Sequence, residues 1–87
     1  MGRTMVLAIS LTEEEKKAKE IAEEIYVKLK ELIEDKHGLE LSMANGGQVW
    51  EEAVYTNGKI QATVGIREHP AVQKVKYEVY IVLEPAT

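Results

Sequence analysis

Apolar and polar residues alternate over residues 3–11, with Met5, Leu7, Ile9 and Leu11 on one side and Thr4, Val6, Ala8 and Ser10 on the other. A period of two predicts a half-buried strand. At Thr12 the period changes. Ala18, Ile21, Ala22, Ile25, Tyr26, Leu29, Leu32 and Ile33 fall on one stripe about 140° wide when each residue advances by about 100°, which predicts a helix over residues 13–36. Thr12 and Glu15 have the spacing of a capping box, with Thr12 accepting from the third helical N–H and Glu15 reaching back. Glu13, Glu14 and Glu15 also oppose the positive end of the helix dipole. The other side of the helix is Glu and Lys, with i,i+4 pairs such as Glu24–Lys28. Val27 is the one apolar residue there and reads as a lone exposed valine. Lys36-His37 falls in the last turn, and Gly38 takes the position just past the helix end.

Four more strand signals follow. Residues 39–45 put Leu39, Leu41 and Met43 on one face; residues 48–56 are ambiguous; residues 59–67 put Ile60, Ala62, Val64 and Ile66 inward; residues 73–84 put Val75, Tyr77, Val79, Ile81 and Leu83 inward. Asn45-Gly46-Gly47 and Asn57-Gly58 are hairpin signals, because Asn and Gly tolerate positive φ. A third connection is expected around His69-Pro70-Ala71. A two-residue turn at Asn57-Gly58 pairs Tyr55 with Ile60 and Ala53 with Ala62, leaving Glu51 opposite Val64. A bulge at Glu51-Glu52 would resolve that conflict and turn Trp50 inward. Without it, Trp50 lies opposite Gly65 on the outer face, covering a strand glycine.

The expected architecture is a single α+β domain over residues 1–87: one helix packed on a curved, mainly antiparallel five-stranded sheet in the order β-α-β-β-β-β, with the place of the first strand left open. The last strand would span roughly 40 Å at ~3.3 Å per residue, and the helix about 36 Å at ~1.5 Å per residue. The expected core contains Leu7, Ile9, Ile21, Ile25, Leu29, Leu32, Leu41, Ile60, Val64, Val75, Tyr77, Val79 and Ile81.

Composition narrows the function classes. Eleven basic against fifteen acidic residues give a net charge of −4 in 87 residues, which disfavours nucleic-acid binding. The longest apolar stretches are far shorter than a membrane span. Met1–Leu11 is apolar, but its h-region is too short for a signal peptide and Ala-x-Ala cleavage chemistry is absent, so it reads as a strand. The chain is expected to be soluble, and cytoplasmic if expressed recombinantly. There is no Cys and no Phe, so no disulfide or thiolate metal site supports the fold.

No residues form a catalytic, cofactor-binding or metal-binding constellation, and the chain is expected not to be an enzyme. His37 reads as a helix-end residue and His69 as a loop residue, neither with partners at ligand spacing. Glu51-Glu52 could suggest paired carboxylates, but adjacent strand residues point to opposite faces. Asn45-Gly46-Gly47 lacks the spacing of a phosphate loop, and no helix follows it. Ser10 and Ser42 have no recognisable general base. On the outer sheet face, Val6, Val54, Tyr80 and Val82 interrupt a polar surface containing Lys59, Gln61, Thr63, Arg67, Lys74, Lys76 and Glu78. A monomer that requires no partner is expected, with a homodimer through this face or through an edge strand as the alternative.

The strand–helix–four-strand order resembles the cystatin/monellin architecture. Cystatins inhibit papain-like proteases through a glycine near the N-terminus, a Gln-Val-Val-Ala-Gly hairpin and a Pro-Trp hairpin. Only Gly2 and Gln48-Val49-Trp50 echo these; Glu51-Glu52 replace Ala-Gly and Ala71 follows Pro70, so inhibition is not implied. In style the chain is similar to computationally designed α+β proteins: the Ser10–Lys17 helix start, the Glu/Lys surface and the Asn-Gly turns all obey idealised rules. That resemblance implies a designed scaffold testing a helix-on-curved-sheet fold, with no natural biochemical function. A small binding module of cystatin type, acting on a protease or an engineered partner, is the alternative.

Overall fold

A computed structural model describes residues 11–70 and 75–86. The helix begins with the expected capping box: the Thr12 hydroxyl accepts the Glu15 N–H at 3.2 Å, and the Glu15 carboxylate accepts the Thr12 N–H at 2.8 Å. The second oxygen of Glu15 accepts the Val75 N–H at 2.6 Å, which ties the start of the helix to the sheet. Helix α1 (Glu13–Glu31) continues into a π-helical turn over Leu32–Lys36. Gly38 then leaves the helix at φ 69°, a backbone conformation that costs glycine little, and the Leu39 N–H returns to the Ile33 carbonyl at 3.2 Å. Helix length and stop both follow the sequence pattern; the wider last turn does not.

Strands β1 (Glu40–Gly46), β2 (Trp50–Thr56), β3 (Ile60–Pro70) and β4 (Val75–Pro85) form a curved antiparallel sheet in the order β1-β2-β3-β4. The fold class is α+β, but among the described residues the sheet has four strands and not the five expected. The first expected strand, over residues 3–11, falls almost wholly outside the described residues. The four strands that pair are consecutive in the chain, so each pairing closes a short loop at low entropic cost.

Register departs from expectation at the Asn57 turn. The Asn57 side chain accepts the Lys59 and Ile60 N–H groups, both at 2.9 Å, and the Thr56 hydroxyl accepts from Gly58 and donates to the Ile60 carbonyl. Asn57 is therefore spent in the turn. The strands pair two residues further on, Tyr55 with Ala62 and Ala53 with Val64. A slip of two preserves the faces, because side chains alternate with period two. It also removes the conflict that called for a bulge at Glu51-Glu52: Glu51 meets Ile66 and Glu52 meets Gly65 without interruption, and Trp50 lies opposite Arg67, on the outer face. The bulge sits instead in β1 at Ser42, between Leu41 and Met43. It moves Met43 opposite Val54, onto the outer face. Nor is His69-Pro70 a loop: β3 runs through both, with His69 opposite Lys76 and Pro70 opposite Val75. Pro70 lies past the end of β2, so the N–H it lacks has no acceptor there.

Gly65 is covered from above. A Cβ at this position would overlap the Tyr80 ring, its partner on β4. The aromatic that covers the glycine is thus Tyr80, not Trp50.

The core joins Ala22, Tyr26, Ile33 and Leu39 to Ala53, Tyr55, Ala62, Val64 and Ile66, with Leu29, Tyr77 and Val79 partly buried against them. Val64 and Val75 are buried as expected. Ile21, Ile25, Leu32, Leu41, Ile60 and Ile81 are not; Ile21 and Ile25 are each 46% exposed. Leu7 and Ile9 lie outside the described residues. On the helix, residues 22, 26, 29 and 33 share a narrow stripe, and 21, 25 and 32 lie about 60–100° to one side of Ala22 at ~100° per residue. One helix presses its middle row onto a sheet, and the flanking row overhangs.

Three substitutions check this packing. Ile66→Ala should lower the unfolding free energy by about 2–5 kcal/mol, and Val27→Ala by less than about 0.5 kcal/mol; equal losses in denaturant titration would contradict the assigned core. Gly65→Ala should cost about 1–3 kcal/mol from overpacking. Most of that loss should disappear in a Tyr80→Ala background, and a loss unchanged there would place the strain elsewhere.

Candidate functional site

The polar side chains with chemical capacity occupy both faces of the sheet. On the outer face, cross-strand neighbours Glu52, Gly65 and Tyr80 lie in a row. Because Gly65 has no side chain, Tyr80 reaches across it, and its hydroxyl donates to Glu52 at 2.7 Å. Arg67 stacks on the Tyr80 ring, 5.3 Å from its centroid. Burial pushes the Tyr80 phenol up from its ordinary value, and the hydrogen bond to Glu52 adds to the shift. Beside them His69 Nε2 meets Glu78 Oε1 at 2.7 Å, and that hydrogen bond holds the Glu78 carboxyl below the usual carboxylate range.

The sequence candidates do not converge. Glu51 and Glu52 alternate across the sheet. Glu51 faces the helix and hydrogen-bonds the Tyr26 phenol, whose pKa is raised first by burial and then by the Glu51 charge. His37 is exposed at the helix end, beside an open apolar cavity of about 330 Å³ that Leu32, Ile33, Leu39, Ile60, Ala62, Ile81 and Leu83 complete. Ser42 is exposed at the β1 bulge; Ser10 and Gly2 lie outside the described residues. Among the described residues, no three His, Asp or Glu side chains gather around a point that could hold a metal ion.

Asn45-Gly46-Gly47 leads into a hairpin closed by the Gly47 N–H on the Trp50 carbonyl at 2.9 Å. A Cβ at Gly47 would come within 2.8 Å of the Trp50 indole nitrogen, so Trp50 folds over its own turn. The Val49 carbonyl accepts the Glu68 N–H at 2.7 Å. The Gln48-Val49-Trp50 segment is bound into the sheet at its C-terminal end.

One chemically notable residue lies outside the sequence candidates. Glu68 is buried, its side chain 0% exposed, with Lys19 Nζ of the helix 3.7 Å away. That is an ion pair too long for a hydrogen bond. Neither Glu68 oxygen has a hydrogen-bond partner among the described residues, nor has the hydroxyl of Tyr77, its cross-strand neighbour. Burial raises the Glu68 pKa; Lys19 opposes the shift and Glu23 adds to it. Burial likewise pushes the Tyr77 phenol up to about 12, with the charges of Glu68, Glu15 and Glu23 contributing. The signal for Glu68 was in the alternation: Ile60, Ala62, Val64 and Ile66 point inward, and the next such position is Glu68, just beyond the predicted strand end.

Comparison with known protein families, curated proteins and solved structures finds no match to this chain.

The raised Glu68 pKa has a defined linkage. The folded state holds this proton more tightly than the unfolded chain, so the stability it contributes is complete below about pH 4.5 and is lost as pH rises through the folded-state value. Glu68→Gln should remove that slope, stabilising the protein at pH 7 and changing little at pH 4, as read from urea midpoints. Greater destabilisation at pH 7 than at pH 4 would mean that the attraction of Lys19 outweighs desolvation.

Proposed function

We propose that this chain is a non-catalytic scaffold of the computationally designed kind, whose role is to hold one helix on a curved sheet. The observation that carries the reading is that Glu51, Glu52 and His69, three of its candidate acids and bases, are taken up in structural pairings. Tyr80 holds Glu52, Glu78 holds His69 and Tyr26 holds Glu51, while Glu68 is buried opposite Lys19. A general acid or base must come within about 2.6–3.2 Å of the proton it moves. Here that reach is used on neighbours, and the pairs are divided between the two faces of the sheet. The open cavity near His37 is lined mainly by aliphatic side chains, which lack the convergent polar groups of a reaction site. The capping box supplies the idealised local chemistry that a scaffold of this kind uses.

The test is a turnover screen of the full chain with hydrolase and transferase substrates, expected to stay at the buffer rate. Turnover lost in Glu51→Gln, Glu52→Gln or His69→Gln would overturn the reading. A papain-like protease belongs in the same screen. Inhibition near ~1 μM, abolished by Val49→Ala or Trp50→Ala, would favour a cystatin-type binding module instead.

A further inference from the structure

Strand β4 closes one side of the described sheet, paired with β3 alone. The Ala86 N–H donates to the Lys59 carbonyl at 2.9 Å. With the observed register, this turns the N–H and C=O groups of even-numbered β4 residues toward β3 and those of odd-numbered residues toward the open edge. Both ends of that edge are closed. The Val75 N–H is taken by Glu15 at 2.6 Å, and Pro85 has no N–H. Between them Tyr77, Val79, Ile81 and Leu83 present donors and acceptors outward. An edge of this kind is a template for a further strand.

The surface beside the edge is apolar. Ala18, Ile21 and Ile25 of the helix flank an open groove over the Val75–Val79 half of β4. The other half is bare, with Ile81 at 42% and Leu83 at 65% exposure.

We propose that two copies of this chain join β4 to β4 in antiparallel register about a twofold axis at Tyr80, pairing Tyr77 with Leu83 and Val79 with Ile81 of the second copy. In this register the four open residues satisfy one another, giving about eight backbone hydrogen bonds across the axis. The closed ends, Val75 and Pro85, lie opposite each other. Lys76 of each copy lies opposite Glu84 of the other at non-hydrogen-bonded positions, where side chains approach most closely. The helix flank of each copy faces the bare Ile81 and Leu83 of the other. Self-matching donors, opposite charges and complementary apolar halves are the marks of an isologous contact, which is why a second copy and not an unrelated strand is the occupant. Lys76 and Glu84 pair across the axis, while Glu78 stays with His69 of its own copy. The inference does not depend on the scaffold reading.

Light scattering of the full chain across a concentration series should give twice 9.8 kDa, with the Tyr77, Val79, Ile81 and Leu83 amides protected from hydrogen exchange. Lys76→Glu should weaken the dimer about tenfold or more, and Lys76→Glu/Glu84→Lys should restore it. These residues are roughly 26 Å apart along one strand at ~3.3 Å per residue, so rescue requires two copies. Circular dichroism checks that each variant folds. If Lys76→Glu does not fold, mass and exchange of the unmodified chain decide. A constant mass of 9.8 kDa, free exchange at the four amides, an unaffected Lys76→Glu dimer, or a double variant that fails to recover would each overturn the proposal.

Discussion

The pairing of β3 with β4 over eleven residues each is the constraint on which the rest of the molecule depends. Its register puts Tyr80 over Gly65, Glu68 beside Tyr77, and His69 within reach of Glu78 two residues along the diagonal. It also turns the Val75 N–H toward the edge, where the Glu15 carboxylate meets it. Glu15 is already the reciprocal half of the helix cap. One carboxylate therefore orders the first helical turn and anchors it to the sheet edge. A one-residue slip of β4 would move every one of these contacts to the wrong face.

Area explains the uneven packing. A single helix covers a band of a sheet, and here the band is taken by Ala22, Tyr26, Leu29 and Ile33. Small residues at Ala22, Ala53 and Ala62 leave space for the rings of Tyr26 and Tyr55 in the centre of that band. Ile21, Ile25 and Leu32 fall outside it and remain about half exposed. Where the band ends, the sheet also encloses a carboxylate, Glu68, with only a distant Lys19 to offset its desolvation. The weakly compensated Glu68 carboxylate and the half-exposed Ile21, Ile25 and Leu32 both lie where the helix is narrower than the sheet beneath it.

Local chemistry was legible before the structure was known. Thr12 and Glu15 marked the helix start, Gly38 its end, and Ala62, Val64 and Ile66 the inward face of β3. Each of these rests on neighbours within a few residues, so the pattern carries the physics. The Asn57 turn was legible as a turn, but its loop length was not. Asn57 lies in the turn either way: a two-residue turn sets Thr56 opposite Lys59, whereas the observed loop, with the Asn57 side chain accepting two N–H groups, sets Thr56 opposite Gln61 and shifts the register by two residues. The candidate site was less legible than the fold. Glu52 and Tyr80 are far apart in sequence, and only cross-strand pairing over Gly65 brings the phenol to the carboxylate.

Over the described residues, the sequence by itself determined the helix, strands β1, β3 and β4 to within a few residues of their ends, and which face of β3 turns inward, because periodicity and capping are short-range effects. Only the tertiary structure decided that four strands form the described sheet, that Ser42 and not Glu51-Glu52 carries the bulge, and that the helix is rotated to bury Tyr26 in place of Ile25. Those outcomes depend on how much sheet one helix can cover and which edge groups it can reach. Ile21, Ile25 and Tyr26 are all apolar enough to be buried; the shape of the surface they meet selects among them.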